Sequence, residues 1–217
     1  MLDRVGEPAA AVDEYTGLWD WRRRIAELYA AARRHQDPAA AALAWRQGRD
    51  QLFGEHEQSP LDPDARARFA GLSYFPYDPA FRFAVELQRV SELSIETQTA
   101  GDDGMVVLTP FARTRGLDGA LAGELTLYWI GGYGGGVFLP FRDPTSGNET
   151  FGGGRYLLDT IKSADLGGDG DGRVILDFNF AYNPSCAYSE RWICPLAPPL
   201  NRLGHAVRAG EKNPSIG

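Results

Sequence analysis

Acidic, amide and thiol side chains concentrate in three stretches of the second half of this 217-residue sequence: 131–156, 177–188 and 194–212. Each stretch mixes polar residues with aromatic rings and with glycines or prolines, as loops that hold a ligand often do. The candidate catalytic residues are Asp143, Glu149, Asp177 and Cys186. A carboxyl group held close to a substrate can donate or accept a proton, so the three acids predict general acid–base catalysis.

Arginines, a tyrosine and amides in the same stretches are candidate ligand-binding residues: Arg142, Arg155, Tyr156, Asn179 and Asn183. A guanidinium group can bind a carboxylate or a phosphate through two parallel hydrogen bonds, so the arginines predict an anionic small molecule as the partner. The arginines could instead pair with Asp143, Glu149 or Asp177 and hold loops in place. Two functions therefore remain open: an enzyme or binding protein with a small-molecule pocket, and a non-catalytic module whose polar motifs brace the β core.

Cys186 and Cys194 are the two cysteines of the chain. A cysteine nucleophile needs a base, a cation or a helix N-terminus to form its thiolate, and His205 is the nearest histidine in the sequence. Two buried thiols, or a bridge between them, are the alternatives. A four-coordinate zinc site needs further nitrogen or sulfur ligands, so we predict no metal here.

The glycine-rich runs do not form a nucleotide-binding motif. After neither 131–136 nor 152–154 does the sequence continue with the lysine and serine or threonine of a phosphate-binding loop. The run 167–172 alternates glycine with aspartate but lacks the glutamate that completes an EF-hand loop. The sequence therefore identifies no cofactor.

Residues 1–71 are predicted to be a helical N-terminal segment, and residues 72–217 a β-rich core that forms one domain with it. Apolar residues three and four apart, from Leu18 to Ala32, indicate an amphipathic helix, and Asp37 followed by proline indicates the start of a second helix. From residue 72 onward the apolar period changes to two, as it does in 81–87.

Glycine and aspartate turns separate seven further candidate strands: 93–97, 105–114, 121–130, 137–141, 155–161, 173–180 and 205–209. Short strands at this spacing are typical of sandwiches and barrels. We therefore predict an α+β, mainly β fold in which N-terminal helices pack on an antiparallel β sandwich or partly closed barrel. Alternation along 173–180 predicts that Asp177 and Asn179 share one strand face.

The charge balance of 22 basic and 29 acidic residues gives a net charge of −7, which argues against a nucleic-acid partner. No stretch approaches the roughly 20 apolar residues of a membrane span, so no membrane association is expected. The N-terminus lacks a basic start followed by an apolar run, and we therefore expect a cytoplasmic protein. The sequence does not indicate an oligomeric state.

Four segments resemble the bacterial domain of unknown function 1684 family: YFPYDP (74–79), 133–159, 176–203 and AGEK (209–212). The segments LWDWRRRIAELY (18–29) and HEQSPL (56–61) are similar to the N-terminal part of that family. One departure is Phe151, where the family's motif has a tyrosine, so no hydroxyl role is expected at this position. The resemblance implies no known activity, but it implies that the motif residues lie close together.

Overall fold

Three helices open the chain in the computed structural model, which describes residues 8–91, 95–98 and 105–214. They are α1 (Pro8–Arg34), α2 (Pro38–Glu55) and α3 (Pro63–Ala67). The predicted start of α2 is confirmed, because the Asp37 carboxylate accepts a hydrogen bond from the Ala39 N–H at 2.9 Å. No helix in this described part of the chain is long and apolar enough to cross a membrane.

In the described part of the chain, seven strands form one sheet after the helices, and all of their pairings are antiparallel. The strands are β1 (Arg82–Arg89), β2 (Ile95–Gln98), β3 (Met105–Arg115), β4 (Thr126–Ile130), β5 (Gly136–Phe141), β6 (Arg155–Asp159) and β7 (Val174–Asp177). Their order is β6-β5-β4-β3-β1-β7, and β2 pairs with the first part of β3. A one-turn helix, α4 (Asp118–Leu121), lies between β3 and β4.

The two ends of this strand order are joined by the segment that follows β7. Tyr156 in β6 and Tyr182 exchange two backbone hydrogen bonds, of 2.8 and 3.1 Å. The sheet is therefore a partly closed barrel. This confirms the predicted fold class, a mainly β protein with N-terminal helices packed on an antiparallel β core.

Each face of the sheet carries its own apolar core. Along β5, Leu139 and Phe141 belong to the core inside the barrel, whereas Phe138 belongs to the core between the barrel and the helices. Helices α1 and α2 contribute Tyr29 and Trp45 to that second core. Because successive side chains of a strand point to opposite faces of the sheet, neighbouring residues of β5 are buried in two different cores.

Four strand predictions differ from the structure. Strand β6 ends at Asp159, where the candidate 155–161 turns into the 3-10 helix Thr160–Lys162. Strand β4 begins only at Thr126, because the first residue of the candidate 121–130 ends α4. Strand β7 ends at Asp177, where the candidate 173–180 turns into the 3-10 helix Phe178–Phe180. The candidate 205–209 is not a strand, and the candidate 93–97 lies partly outside the described residues.

Candidate functional site

Asp143 and Arg155 form an ion pair inside the protein. Their side chains are 0% and 1% exposed, and Oδ1 of Asp143 lies 3.3 Å from Nη2 of Arg155. Asp143 follows β5 and Arg155 begins β6, so the pairing of these two strands brings them together. The guanidinium group also lies 5.0 Å from the centre of the Phe141 ring.

Both members of this pair bind the backbone of the C-terminal segment. Nη2 of Arg155 donates to the Val207 carbonyl at 2.9 Å, and Nη1 donates to the carbonyls of Ala209 and Glu211. The Val207 N–H donates to Oδ2 of Asp143 at 2.7 Å. The strand predicted over 205–209 is wrong because side chains, rather than a neighbouring strand, bind these backbone groups.

A turn after β5 holds the Asp143 carboxylate in place. The hydroxyl of Thr145 donates to this carboxylate at 2.9 Å, and the Thr145 N–H donates at 3.2 Å. Such bonding from an aspartate to the residue two positions later is characteristic of an Asx turn. Residues 143–145 therefore direct the carboxylate towards Arg155.

Glu211 is the centre of a second buried polar group. Its carboxylate accepts hydrogen bonds from Arg49 at 3.1 Å, from the N–H of Asn183 at 2.9 Å and from the hydroxyl of Tyr188. Burial raises the pKa of Glu211 to about 7, although the positive charge of Arg49 acts in the opposite direction. This group joins helix α2 to the barrel.

Arg49 and Glu211 were not among the site residues predicted from the sequence. Arg49 lies four residues after Trp45 and three before Leu52, and all three are buried on one face of α2. That spacing is the signal that could have identified a buried, paired arginine. Glu211 belongs to the AGEK motif, but nothing in its immediate sequence indicates its partner.

Asp177 and Asn179 contact each other at the end of β7. The N–H and the Nδ2 of Asn179 donate to Oδ1 of Asp177 at 3.0 and 2.9 Å, and Arg82 donates to Oδ2 at 3.4 Å. The prediction that these two residues share a strand face is wrong, because Asp177 caps the 3-10 helix that contains Asn179. Burial raises the pKa of Asp177 above its ordinary value.

The remaining polar candidates are spread around this interior. Glu149 pairs with Arg208 near the surface at 2.8 Å, and the hydrogen bond from Arg208 lowers the pKa of Glu149. Arg142 is half-buried, and its main-chain N–H donates a hydrogen bond to the main-chain carbonyl of Asn201 at 2.8 Å. The hydroxyl of Tyr156 donates to a main-chain carbonyl in the segment after residue 194.

Cys186 lies in the 3-10 helix Ser185–Ala187, and the neighbouring Cys194 raises its pKa. Both cysteines are free thiols. His205 lies against the carbonyl of Ala120, with its Nδ1 atom at 3.0 Å from that oxygen. Within the described residues, no group of three or more histidine, cysteine or acidic side chains could hold a metal ion.

A cavity of about 640 Å³ lies at the open end of the barrel, and we call it the barrel-mouth cavity. Each of the six strands in the sheet order contributes one apolar side chain to its wall: Leu87, Phe111, Leu127, Val137, Leu158 and Val174. Thr160, Asp165, Arg173 and glycines of the run 167–172 form the rim. None of the site residues predicted from the sequence lines this cavity or the smaller one beside α2.

Comparisons with known proteins agree with the motif resemblance. The profile of the family described as "Protein of unknown function (DUF1684)" matches residues 67–212. An uncharacterized protein of Haloarcula marismortui, solved by solution NMR, is 34% identical and superposes with a TM-score of 0.53. The match covers 80% of this chain and 92% of that chain. A comparison with curated proteins gives no match. The chain therefore belongs to the DUF1684 family.

Proposed function

We propose that this protein binds a small, apolar, uncharged molecule in the barrel-mouth cavity, and that its polar motifs brace the barrel instead of catalysing a reaction. The observation that carries this proposal is the ring of six apolar side chains, one from each strand of the sheet order. Cavities of roughly 300–1,000 Å³ hold small organic ligands, and an apolar wall with a few polar groups at its edge is their usual lining. The barrel-mouth cavity has both properties.

The charges at the rim favour an uncharged ligand. Asp165 lines the cavity, and Arg173 is paired with Asp169 at 2.6 Å and with Asp171 at 3.7 Å. Arg173 is therefore already neutralised by two aspartates, and the lining offers an anionic ligand no unpaired positive charge. The sequence predicted an anionic partner for Arg142 and Arg155. Neither arginine lines this cavity, so that prediction concerns a different place in the molecule.

The contacts of the predicted acids support a bracing role. Asp143 pairs with Arg155, and Asp177 is hydrogen-bonded to Asn179 and Arg82. A general acid or base must come within about 3 Å of the proton that it transfers, directly or through one water. Neither acid lies in the wall of the barrel-mouth cavity. A cytoplasmic location and a bacterial source stay predictions from the sequence.

The test is a titration of the full chain with N-phenyl-1-naphthylamine, a neutral dye whose fluorescence rises in apolar surroundings. Leu87 lines the cavity and is 37% exposed, so Leu87→Trp should fill the mouth without disturbing the buried core. Val107 on β3 is 41% exposed and does not line the cavity, so Val107→Trp is the matched control. We expect Leu87→Trp to weaken dye binding by about tenfold or more, and Val107→Trp to leave it unchanged.

A second titration uses the anionic dye 1-anilinonaphthalene-8-sulfonate, which should bind more weakly than the neutral dye because Arg173 is already paired and Asp165 carries a negative charge. The proposal is contradicted if the natural protein shows no saturable binding of the neutral dye. Equal affinities for the natural protein and both tryptophan variants would also contradict it, because the dye would then lie elsewhere.

A further inference from the structure

A second cavity, of about 180 Å³, lies where α1 ends and α2 begins, and we call it the helix-junction cavity. Its walls come from these two helices, from the start of β1 and from the connection between β6 and β7. Ile175 lines this cavity, whereas Val174 lines the barrel-mouth cavity. Because successive residues of a strand point to opposite faces, the two cavities lie on opposite faces of β7, although both touch Gly168.

Arg33 brings a positive charge to the helix-junction cavity from the last turn of α1. Its Nη1 atom donates to the main-chain carbonyl of Asp165 at 2.6 Å, which fixes the guanidinium group against the β6–β7 connection. Within the described part of the chain, no carboxylate forms an ion pair with Arg33, and its remaining N–H groups have no protein acceptor. The charge and most of the donors of Arg33 are therefore available to a ligand.

Arg82 brings a second positive charge from the first residue of β1. Its Nη1 atom lies 3.4 Å from Oδ2 of the buried Asp177, and its side chain is 33% exposed. The Asp177 carboxylate also accepts two hydrogen bonds from Asn179, at 3.0 and 2.9 Å. The long bond to Asp177 uses one N–H group of Arg82, so the exposed part of the guanidinium group can bind a ligand as well.

Asp169 is the one acid among the described residues of this lining, and its charge is already neutralised. Its carboxylate lies 2.6 Å from Nε of Arg173, which does not line the cavity. The same carboxylate accepts the main-chain N–H groups of Asp171 and Arg173 at 3.0 and 3.2 Å. The two arginines of the lining therefore give the cavity a net positive charge.

His35 contributes a neutral hydrogen-bond donor to the lining. The main-chain N–H of Asp37 donates to Nδ1 of His35 at 3.1 Å. A ring nitrogen that accepts a hydrogen bond carries no hydrogen, so the neutral ring has its hydrogen on Nε2. The Asp37 carboxylate does not line the cavity and is engaged by the N–H of Ala39 at 2.9 Å.

We propose that the helix-junction cavity binds a small oxyanion, either phosphate or a short carboxylate, through Arg33 and Arg82, with His35 as a further donor. Guanidinium groups match the oxygen geometry of both kinds of anion. Pockets for larger organic ligands are roughly 300–1,000 Å³, so a cavity of about 180 Å³ suits a molecule of a few heavy atoms. Such an anion joins the end of α1 to the start of β1.

The test is a titration of the full, isotope-labelled natural chain with sodium phosphate and, separately, with sodium butyrate, followed by NMR at constant ionic strength set with sodium chloride. We expect saturable shifts of the Asp37 main-chain amide, because it is bonded to His35. Arg33→Gln removes one of the two charges and should weaken binding by about tenfold or more. Arg34→Gln is the matched control, because Arg34 follows in the same turn, is exposed and does not line the cavity.

Leu87→Trp, which fills the barrel mouth, should leave anion binding unchanged, so this proposal and the proposed apolar ligand can fail separately. Saturation by phosphate alone would identify a phosphate group as the ligand, and saturation by butyrate alone a carboxylate whose chain packs on the apolar wall. Saturation by both would support the shared oxyanion chemistry. The proposal is overturned if neither anion gives saturable shifts up to about 10 mM, if Arg33→Gln and Arg34→Gln bind equally, or if Leu87→Trp abolishes binding.

Discussion

Nη1 of Arg155 donates to the main-chain carbonyl of Glu211 at 3.2 Å, while the Glu211 carboxylate binds Arg49 of α2 at 3.1 Å. One residue of the C-terminal segment thus joins two buried arginines, one from the barrel and one from the helical layer. Buried ion pairs tolerate the loss of one member poorly, because the other charge is left without a partner. Removing either Arg49 or Arg155 should therefore destabilise both the helical layer and the barrel.

Arg155→Ala should lower the free energy of unfolding by about 3–5 kcal/mol, because it leaves the buried Asp143 without its ion-pair partner and removes the Arg155 donors to three main-chain carbonyls of the C-terminal segment. Arg155→Lys keeps the charge but loses the forked geometry, and should give an intermediate loss. Arg208→Ala is the matched control: Arg208 is 61% exposed and solvent screens its ion pair with Glu149, so this substitution should cost far less than Arg155→Ala. Urea denaturation measures all three, and equal losses at positions 155 and 208 would refute the bracing role.

The stability of the protein should depend on the protonation of Glu211. Its pKa is about 7 in the folded chain and near the ordinary 4.5 in the unfolded chain, so the folded state holds the proton more tightly. The resulting stabilisation is complete below about pH 4.5, and it falls by about 1 kcal/mol per pH unit until the pH passes about 7.

Glu211→Gln cannot titrate at this position, and its stability relative to the natural protein should therefore rise between about pH 5 and about pH 7. Urea denaturation of both proteins across this range measures the difference. A difference that stays constant with pH would show that the Glu211 pKa is not raised in the folded protein.

Gly154→Ala should be much more destabilising than Gly134→Ala. Both glycines have positive φ angles, of 95° and 87°, so both alanines carry backbone strain of about 1 kcal/mol. At position 154 the added Cβ would also lie 2.6 Å from the Phe141 carbonyl oxygen, whereas at position 134 it meets no atom within 4 Å. We expect a further loss of about 1–3 kcal/mol for Gly154→Ala in thermal unfolding. Similar losses at the two positions would contradict the close approach.

Asn201→Ala should lower the free energy of unfolding by more than about 2 kcal/mol. The Asn201 amide is buried, exchanges hydrogen bonds with both backbone groups of Thr126 and donates to the Pro140 carbonyl at 2.8 Å. The control is Asn213→Ala, because Asn213 is exposed and its side chain donates to one carbonyl, that of Asn148. Calorimetric unfolding measures both, and an equally small effect at position 201 would count against its role in joining β4 to β5.

Local features of the fold could be predicted from the sequence because their physical causes are local. The start of α2 depends on Asp37 and on Ala39, two residues later. The alternation of apolar and polar residues in β1 depends on one strand alone. Asn179 does not lie in the predicted strand, because the aspartate two residues earlier caps the backbone there and so replaces the hydrogen bonds of a strand.

Asp143 was among the partners that the sequence allowed for Arg155, but the main-chain partners could not be predicted, because they lie 52 to 56 residues further along the chain. Folding brings residues 207–211 beside β6, where the Arg155 side chain forms hydrogen bonds that a neighbouring strand would otherwise form. The barrel-mouth cavity could not be predicted from the sequence for a related reason. Its wall needs one ordinary apolar residue from each of six strands, and none of them, such as Leu87 or Val174, is distinctive by itself.

The seam between Tyr156 and Tyr182 closes the barrel with two backbone hydrogen bonds, whereas β1 and β7 are joined along four residue pairs. Opening a short seam breaks fewer bonds than separating two paired strands. Deuterium from solvent should therefore replace the amide hydrogens of Tyr156 and Tyr182 before it reaches the centre of the sheet. The barrel thus has a preferred line along which its circumference widens.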